Sequence, residues 1–210
     1  MKITKKQLEM LLDSIPEHPN PRIELEQYTI PGALAATMLW IAEFKYHDIY
    51  GRVVIDLGCG TGRLAIGAAI LGANCTVGID IDPIALSVAK TNAYRLGVDK
   101  TTNWLCSDVL HVDMRGDVVI QNPPFGVQKT MRHMDTLFLM KSLEIARKAV
   151  YTLHKSGPKT RSLLEKLIKE VGGRITEVIT LKFDIKPIYR KHRKRHYLVD
   201  VDMYRISLEG

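Results

Sequence analysis

The feature that most constrains the fold is a buried strand that runs directly into a glycine-rich turn. The segment RVVIDLG, residues 52–58, is a near-continuous apolar run, which is typical of a strand covered on both faces. Gly58, Gly60 and Gly62 then stand at alternate positions before an apolar helical stretch over 62–72. Glycines in such a turn let the backbone approach a ligand at a helix N-terminus. The spacing G-x-G-x-G differs from the dinucleotide fingerprint and from the phosphate loop.

The rest of the chain continues this alternation of apolar strands and amphipathic helices. The pattern predicts an α/β fold with a mostly parallel, Rossmann-like sheet and helices on both faces. Further strands are predicted at 75–82, 102–108, 117–122, 150–155, 174–185 and 197–208. Further helices are predicted at 82–97, 136–149 and 157–173. The last two strands alternate in polarity and are expected to pair antiparallel.

The segment before the first strand contains two helical stretches, 4–14 and 31–46. We expect them to cap the sheet rather than to form a separate domain. A chain of 210 residues is long enough for one sizeable core. The prediction is one domain over 1–210, made of an N-terminal helical cap, 1–50, and a core, 51–210.

Composition and charge limit the class of protein. An apolar fraction of 46% and a charged fraction of 25% are those of an ordinary globular protein, and no apolar run is long enough to span a membrane. The 3 cysteines have no zinc-binding spacing, so no metal is expected, and their low, odd count fits a cytoplasmic protein. The net charge of +7 favours an anionic partner such as nucleic acid.

Acidic residues follow the second and third predicted strands. Asp80 stands about 20 residues after the glycine turn, where an acid can accept hydrogen bonds from both hydroxyls of a ribose. Alternatively, Asp80 or Asp82 only caps the next helix; we assign the cap to Asp82 and the ribose to Asp80. Asp108 can bind an adenine amino group, with the Val109 backbone N–H beside it, or can be another cap.

The order of these features is more specific than any one of them. The first strand leads into the motif D-x-G-x-G-x-G, which begins at Asp56, and a helix follows it. A strand that ends in an acid comes next, and then another helix and another strand that ends in an acid. Over about residues 50–208 this order resembles the class I S-adenosylmethionine-dependent methyltransferases. The resemblance implies S-adenosylmethionine as cofactor and a seven-stranded sheet with an antiparallel last strand.

A strand that ends in Asn-Pro-Pro-Phe gives the candidate catalytic residues. Asn122 to Phe125 match the N-P-P-[FY] motif of amino-group methyltransferases. The Asn122 side-chain oxygen and the Pro123 carbonyl can each accept one N–H of an exocyclic amine, which aims the nitrogen lone pair at a methyl group. Pro123 and Pro124 hold these acceptors in place, and Phe125 can stack on a flat base. The alternative is a plain strand-ending turn.

The segment LEQYTIPGALAATMLW, residues 25–40, narrows the resemblance. With DLGCGTG, GIDID and QNPPFG, it is similar to the archaeal and eukaryotic small-subunit ribosomal RNA adenine-N6 methyltransferases of the methyltransferase-like-protein-5 type. This implies a cofactor site that includes Gln27, Ile30, Gly58, Thr61, Arg63, Asp80, Asp108 and Val109. The predicted site is completed by Asp56, Gly60, Gly62, Ile81 and Asn122. Alternatively, residues 25–40 are a packing lid without ligand contact.

The same resemblance implies a partner. Relatives of this kind pair with a small zinc-binding activator protein at an edge of the sheet, near the segment NWLCSDVLHV, residues 103–112. Trp104 is expected to be half-exposed there or, alternatively, to belong to the core.

Basic residues are expected to contact RNA. The segment KPIYRKHRKRHY, 186–197, lies between the last two predicted strands and contains no acid. It forms a predicted hairpin tip that can bind phosphates, although a solvated turn is the alternative. The candidate RNA-binding residues are Lys129, Arg132, Arg190, Lys191, Arg193, Lys194 and Arg195.

These observations predict an S-adenosylmethionine-dependent methyltransferase that acts on adenine N6 in structured RNA, most simply small-subunit ribosomal RNA. The target base must be unpaired or flipped out, because an amine inside a duplex cannot reach such a site. One alternative is a protein methyltransferase that acts on glutamine N5. The other is a non-catalytic RNA-binding or ribosome assembly factor on the same fold.

Overall fold

The computed structural model describes residues 3–126, 128, 131, 133–185 and 197–208. Within these residues, seven strands form one sheet in the order β3-β2-β1-β4-β5-β7-β6. Strands β1 to β5 pair in parallel, and β7 runs antiparallel to both of its neighbours. The predicted α/β architecture and the antiparallel last strand are therefore confirmed. The strands are β1 Val53–Leu57, β2 Cys75–Asp80, β3 Thr102–Cys106, β4 Gly116–Gln121, β5 Ala146–Lys155, β6 Arg174–Ile185 and β7 Tyr197–Ser207.

Helices cover both faces of this sheet. Buried residues of α1, α2 and α3 share one apolar cluster with Val54 and Val118, whereas α5 and α6 share a second cluster with Ile55 and Val119. Consecutive strand residues thus face opposite helix layers, which explains the continuous apolar runs in the sequence. The α-helices are α1 Lys5–Asp13, α2 Gly32–Trp40, α3 Arg63–Ile70, α4 Pro83–Arg95, α5 Met134–Ile145 and α6 Pro158–Glu170.

One predicted boundary was wrong. The helix predicted over 136–149 ends at Ile145, and β5 begins at Ala146 instead of at residue 150. Ala146 and Ala149 pair with Gly116 and Val118 of β4. Sheet pairing therefore overrides the local helical pattern of Ala-Arg-Lys-Ala.

The N-terminal cap is attached to the sheet by a buried polar group. The fully buried Asp48 accepts hydrogen bonds from the Tyr151 hydroxyl of β5 at 2.6 Å and from Arg205 Nε of β7 at 2.9 Å. The carboxylate also lies 3.2 Å from Lys148 Nζ of β5, so these contacts hold the end of the cap against the two strands. Across the described ranges, no helix has the length and apolar character needed to cross a membrane.

Candidate active site

The glycine turn closes over the ends of β1 and β2. Gly58 and Gly60 have φ values of 68° and 53°, a left-handed conformation that residues with side chains rarely adopt. The backbone N–H groups of Gly58 and Cys59 both donate to the carbonyl of Ile79, at 2.8 and 3.0 Å. The turn is thereby fixed to β2, and α3 starts directly behind it at Arg63.

Asp80 holds the glycine turn from the opposite side. One carboxylate oxygen accepts a hydrogen bond from Gly60 N at 2.8 Å, and the other accepts one from Asp82 N at 2.9 Å. Burial raises the pKa of Asp80, and the two backbone N–H groups oppose that shift. Each oxygen keeps a second lone pair, so the carboxylate can still accept a ribose hydroxyl.

A cavity of about 240 Å³ lies at the carboxyl ends of the parallel strands, where such sheets bind ligands. It brings together most of the predicted cofactor residues. From the cap and the glycine turn, these are Gln27, Ile30, Asp56, Gly58, Gly60, Thr61 and Arg63. From the ends of the next strands, they are Asp80, Ile81, Asp108, Val109 and Asn122.

Gly62 lies behind the cavity wall. A side chain at Gly62 would come within 2.5 Å of the Trp104 ring, so this glycine is required for close packing. Trp104 itself is partly exposed and packs against the core, so both expectations for it hold in part.

Both predicted helix caps are present. Asp82 accepts a hydrogen bond from Ile84 N at 3.0 Å, and Asp108 accepts one from Leu110 N at 2.9 Å. Asp108 also lines the cavity, so capping does not remove it from the site. Burial alone would raise the pKa of Asp82, but hydrogen bonds from Gln27 and other donors lower it to about 2.

Gln27 and Arg63 connect the cap to the cavity wall. The Gln27 amide nitrogen donates to Asp82 at 2.7 Å. The buried Arg63 guanidinium donates to the carbonyls of Ile30 and, at 3.1 Å, Ile15. Burial lowers the pKa of Arg63. The cap therefore closes one side of the cavity through contacts made by two predicted cofactor residues, whose ligand contacts remain predictions.

Asn122 lines this cavity and carries an unsatisfied acceptor. Its side-chain nitrogen lies 3.5 Å from the carbonyl of Tyr28, whereas its side-chain oxygen is buried and has no hydrogen-bond partner among the described residues. Buried acceptors without a partner are rare and indicate a function or an absent ligand. Pro124 also lines the cavity, and Pro123 is buried beside it.

Phe125 lies at the end of the motif. Its ring packs edge-to-face on the buried Phe183 of β6, with ring centroids 5.5 Å apart. Phe125 is partly exposed, and its stacking on a base stays a prediction. This contact places the end of the motif against the β6–β7 hairpin.

The predicted RNA-binding residues lie outside the described residues. These are Lys129, Arg132, Arg190, Lys191, Arg193, Lys194 and Arg195. The strands that flank the basic segment do pair antiparallel as predicted, and Ile185 stands opposite Tyr197.

Some cavity residues were not predicted from the sequence. Glu26, His18, Met134 and Phe138 line the same space. A side chain at Gly58 would come within 2.9 Å of the Phe138 ring, so α5 also packs against the glycine turn. For Glu26, the one available sequence signal was its place in the LEQY segment.

The comparisons with known proteins match different lengths of this chain. The family model for ribosomal protein L11 methyltransferase (PrmA) matches residues 32–123. The enzyme of that name from Histophilus somni is 47% identical over 100 residues, which cover 48% of this chain and 34% of that protein. The matched region contains the glycine turn and ends within the N-P-P-F motif.

Other relatives match along nearly the whole length. An uncharacterized protein of Methanocaldococcus jannaschii is 46% identical, covering 99% of this chain and 96% of its own. A crystal structure from Pyrococcus horikoshii, provisionally described as an RNA methyltransferase, is 37% identical with a TM-score of 0.89, covering 99% of this chain and 98% of that one. The rRNA N6-adenosine-methyltransferase Mettl5 of Drosophila melanogaster is 35% identical, covering 97% of this chain and 96% of that enzyme. The chain belongs to the METTL5 family of rRNA N6-adenosine-methyltransferases.

Proposed function

We propose that this protein transfers a methyl group from S-adenosylmethionine to N6 of an adenosine in ribosomal RNA, as one methyltransferase domain. The observation that carries the proposal is the buried, unpartnered oxygen of Asn122 in a cavity shared with the predicted cofactor residues. The names of the full-length relatives from fly and zebrafish support the same reaction and the same class of substrate.

The residues of the cavity fit this cofactor. Asp80 offers lone pairs for ribose hydroxyls, and Asp108 with Val109 offers an acceptor and a backbone N–H for adenine. The second oxygen of Asp56 is buried without a partner among the described residues, which suits an ammonium group. The bound cofactor supplies an electrophilic methyl carbon on a positively charged sulfur.

The chain's own contribution is to orient the amine. Adenine N6 is a weak nucleophile because its lone pair is delocalised into the ring. The Asn122 oxygen and the Pro123 carbonyl each accept one N–H, which favours a pyramidal nitrogen. The two prolines hold both acceptors before the reaction, so little reorganisation is needed at the moment of transfer.

The substrate is structured RNA with an exposed adenosine, and we favour small-subunit ribosomal RNA. Phe125 can stack on the base, and the basic segment over 186–196 can bind phosphates next to it. The alternative of glutamine methylation is less favoured. The match to the family model of the L11 protein methyltransferases ends at residue 123, before Phe125 and the basic segment.

We also propose a small zinc-binding activator protein as partner. Strand β3 is an outer strand of the sheet, and Asn103, Leu105 and Cys106 on it are exposed, with Leu105 at 40%. An unpaired strand edge with apolar side chains is suited to pairing with another chain. Cross-linking from a cysteine at position 103 to a bound activator would test this docking site; no cross-link would count against it.

The expected compartment is the cytoplasm, since all 3 cysteines carry free thiols. The function itself is tested by incubating the protein with labelled S-adenosylmethionine and either purified ribosomal RNA or ribosomal protein. Nucleoside mass spectrometry should find N6-methyladenosine in the RNA. Label in glutamine alone would overturn the proposal in favour of protein methylation, and absence of cofactor binding would favour a non-catalytic assembly factor.

A further inference from the structure

Glu26 is a cavity residue that the reaction outlined above does not use. It lies at the end of the short 3₁₀ turn Ile23–Leu25, has a φ of 48°, and is only 5% exposed. A left-handed backbone conformation is uncommon for a residue with a side chain, and such conformations concentrate at functional sites. The chain here adopts an unfavourable conformation and places a carboxylate in a buried position.

The two oxygens of this carboxylate have different surroundings. Oε1 accepts a hydrogen bond from the backbone N–H of Gln128 at 2.6 Å, so Glu26 contacts the segment that follows the N-P-P-F motif. Oε2 is buried and has no hydrogen-bond partner among the described residues. An unpartnered carboxylate oxygen is costly to bury, which indicates that a positively charged or N–H group occupies the cavity in the working state.

Asn122 and Glu26 line one cavity and are linked through the turn that contains Tyr28. The Asn122 side chain contacts the carbonyl of Tyr28, two residues beyond Glu26 in the same backbone turn. The Asn122 amide is neutral, so its dipole stabilises a positive charge less strongly than a carboxylate does. Glu26 supplies the missing negative charge on this side of the cavity.

Methyl transfer moves a positive charge that a carboxylate can stabilise. The nitrogen lone pair forms the new N–C bond while the C–S bond breaks with its electron pair on sulfur, and the positive charge passes from sulfur to nitrogen. The nitrogen then loses one proton to water. A fixed carboxylate near the nitrogen becomes more stabilising as this charge develops, and its effect is strong in a site with little water.

We propose that Glu26 is a catalytic residue whose free carboxylate oxygen stabilises the positive charge that moves from the methyl donor to the amine. This inference rests on the proposed function. It assigns to the N-terminal cap a part in the chemical step, in addition to closing the cavity.

A binding experiment tests the charge directly. Sinefungin has a primary ammonium where S-adenosylmethionine has its transferable methyl group, whereas S-adenosylhomocysteine has no group there. Calorimetry should show that the preference for sinefungin over S-adenosylhomocysteine falls at least fivefold in Glu26→Gln. The variant keeps an oxygen for the Gln128 N–H, and the ratio is measured within one protein, so partial unfolding cancels.

Glu165→Gln is the control, because it removes the same charge at an exposed position of α6. Its preference should equal that of the wild type. An unchanged preference in Glu26→Gln, or an equal fall in both variants, would overturn the proposal.

A rate measurement completes the test. At saturating cofactor, the single-turnover rate of Glu26→Gln on ribosomal RNA should fall at least tenfold, and Glu165→Gln should stay within twofold of the wild type. A smaller fall in Glu26→Gln would leave Glu26 only as a structural contact and overturn the assignment. If the wild type itself fails to methylate ribosomal RNA, the proposed function fails, whereas the ligand preference still tests the charge.

Discussion

Two buried oxygens, one of Asn122 and one of Asp56, have the largest consequences at the scale of single residues. Both lie in side chains that line the cavity, and neither has a hydrogen-bond partner among the described residues. Their chemical roles differ. The amide oxygen is neutral at every pH and can only accept a hydrogen bond, whereas the carboxyl group of Asp56 can gain or lose a proton.

Replacing Asn122 by alanine should separate cofactor binding from transfer. The variant loses the acceptor that orients the amine, so the single-turnover rate should fall by about 100-fold or more. Cofactor affinity should stay within about threefold, since most of the cavity is untouched. Stopped-flow transfer assays and calorimetry measure the two quantities.

Asn74→Ala, at an exposed asparagine before β2, is the control and should behave as the wild type. Normal turnover in Asn122→Ala would contradict the proposed role of the amide.

Asp56 should make stability depend on pH. Burial raises the pKa of Asp56 from 3.8 to about 7, against one hydrogen bond from Ala65 N. Between these pH values the folded protein holds a proton that the unfolded chain has lost, so stability falls as pH rises and levels off above about 7. The three-unit difference sets an upper limit of roughly 4 kcal/mol.

Asp56→Asn should remove this contribution. Urea unfolding without cofactor, at several pH values from 4 to 8, should show a less negative slope of stability against pH than the wild type. Asp113→Asn, an exposed carboxylate, should leave the slope unchanged. Equal slopes in Asp56→Asn and the wild type would show that Asp56 titrates normally.

At the scale of secondary-structure elements, the outer strand β3 supports the glycine turn through one side chain. The Trp104 ring lies against the backbone of Gly62 in the turn and of Gly78 in β2. Both positions exclude a side chain because the ring occupies its place. The outer strand β3 and the glycine turn are thus in contact through Trp104.

Gly78→Ala should therefore destabilise the protein. The added carbon would lie 2.4 Å from the Trp104 ring and 2.9 Å from Cys59 Sγ. Overpacking of this kind lowers the free energy of unfolding by about 1–3 kcal/mol. Cofactor binding should weaken as well, because Cys59 belongs to the glycine turn. Urea unfolding and calorimetry measure both effects.

Gly157→Ala is the matched control, since its backbone is extended and no atom lies within 4 Å of the added carbon. If Gly78→Ala is as stable as this control, Trp104 is free to move away from β2.

Elements with a strong local signal were predictable from the sequence. Buried strands are visible as apolar runs. The N-cap Asp82, followed by Pro83 at the first helical position, marks the start of α4. The start of β5 at Ala146 was not predictable, because it depends on pairing with β4. Gly116, the partner of Ala146, lies 30 residues earlier in the sequence. Local helical periodicity carries no information about that pairing.

The site shows the same limit. Asn122 and the glycine turn were found because several functional residues stand together in the sequence. Glu26 was missed because its contact with Gln128 joins positions 102 residues apart. Arg63 was assigned to the cofactor, and its observed hydrogen bonds to the carbonyls of Ile15 and Ile30 depend on how the cap folds back.

At the scale of the whole molecule, the antiparallel end of the sheet lies beside the end of the N-P-P-F motif. Phe125 packs on Phe183, which belongs to β6, and β6 and β7 flank the basic segment in the sequence. We propose that substrate RNA contacts both Phe125 and the basic segment.

Neutralising Arg193, Lys194 and Arg195 to glutamine should weaken RNA binding at low salt. Each lost phosphate contact reduces the magnitude of the slope of log affinity against log salt by about 0.7–0.9. The magnitude of this slope should therefore be smaller by up to roughly 2–3 in the triple variant than in the wild type. Filter binding with ribosomal RNA fragments, at salt concentrations from about 50 to about 300 mM, measures this slope.

A control with the same change of charge is Lys159, Lys166 and Lys169 to glutamine on α6, where all three lysines are exposed. This control should keep the wild-type slope. An equal slope in both triple variants would exclude the basic segment from the RNA interface.

The contact between Asn122 and the Tyr28 carbonyl also bears on how the enzyme matures. The two residues are 94 positions apart, so the acceptor side of the catalytic centre exists only when the N-terminus has docked on a largely completed sheet. We expect a polypeptide without the docked N-terminus to keep part of the cofactor cavity but to be inactive. Methyl transfer to ribosomal RNA would then require the completely folded chain.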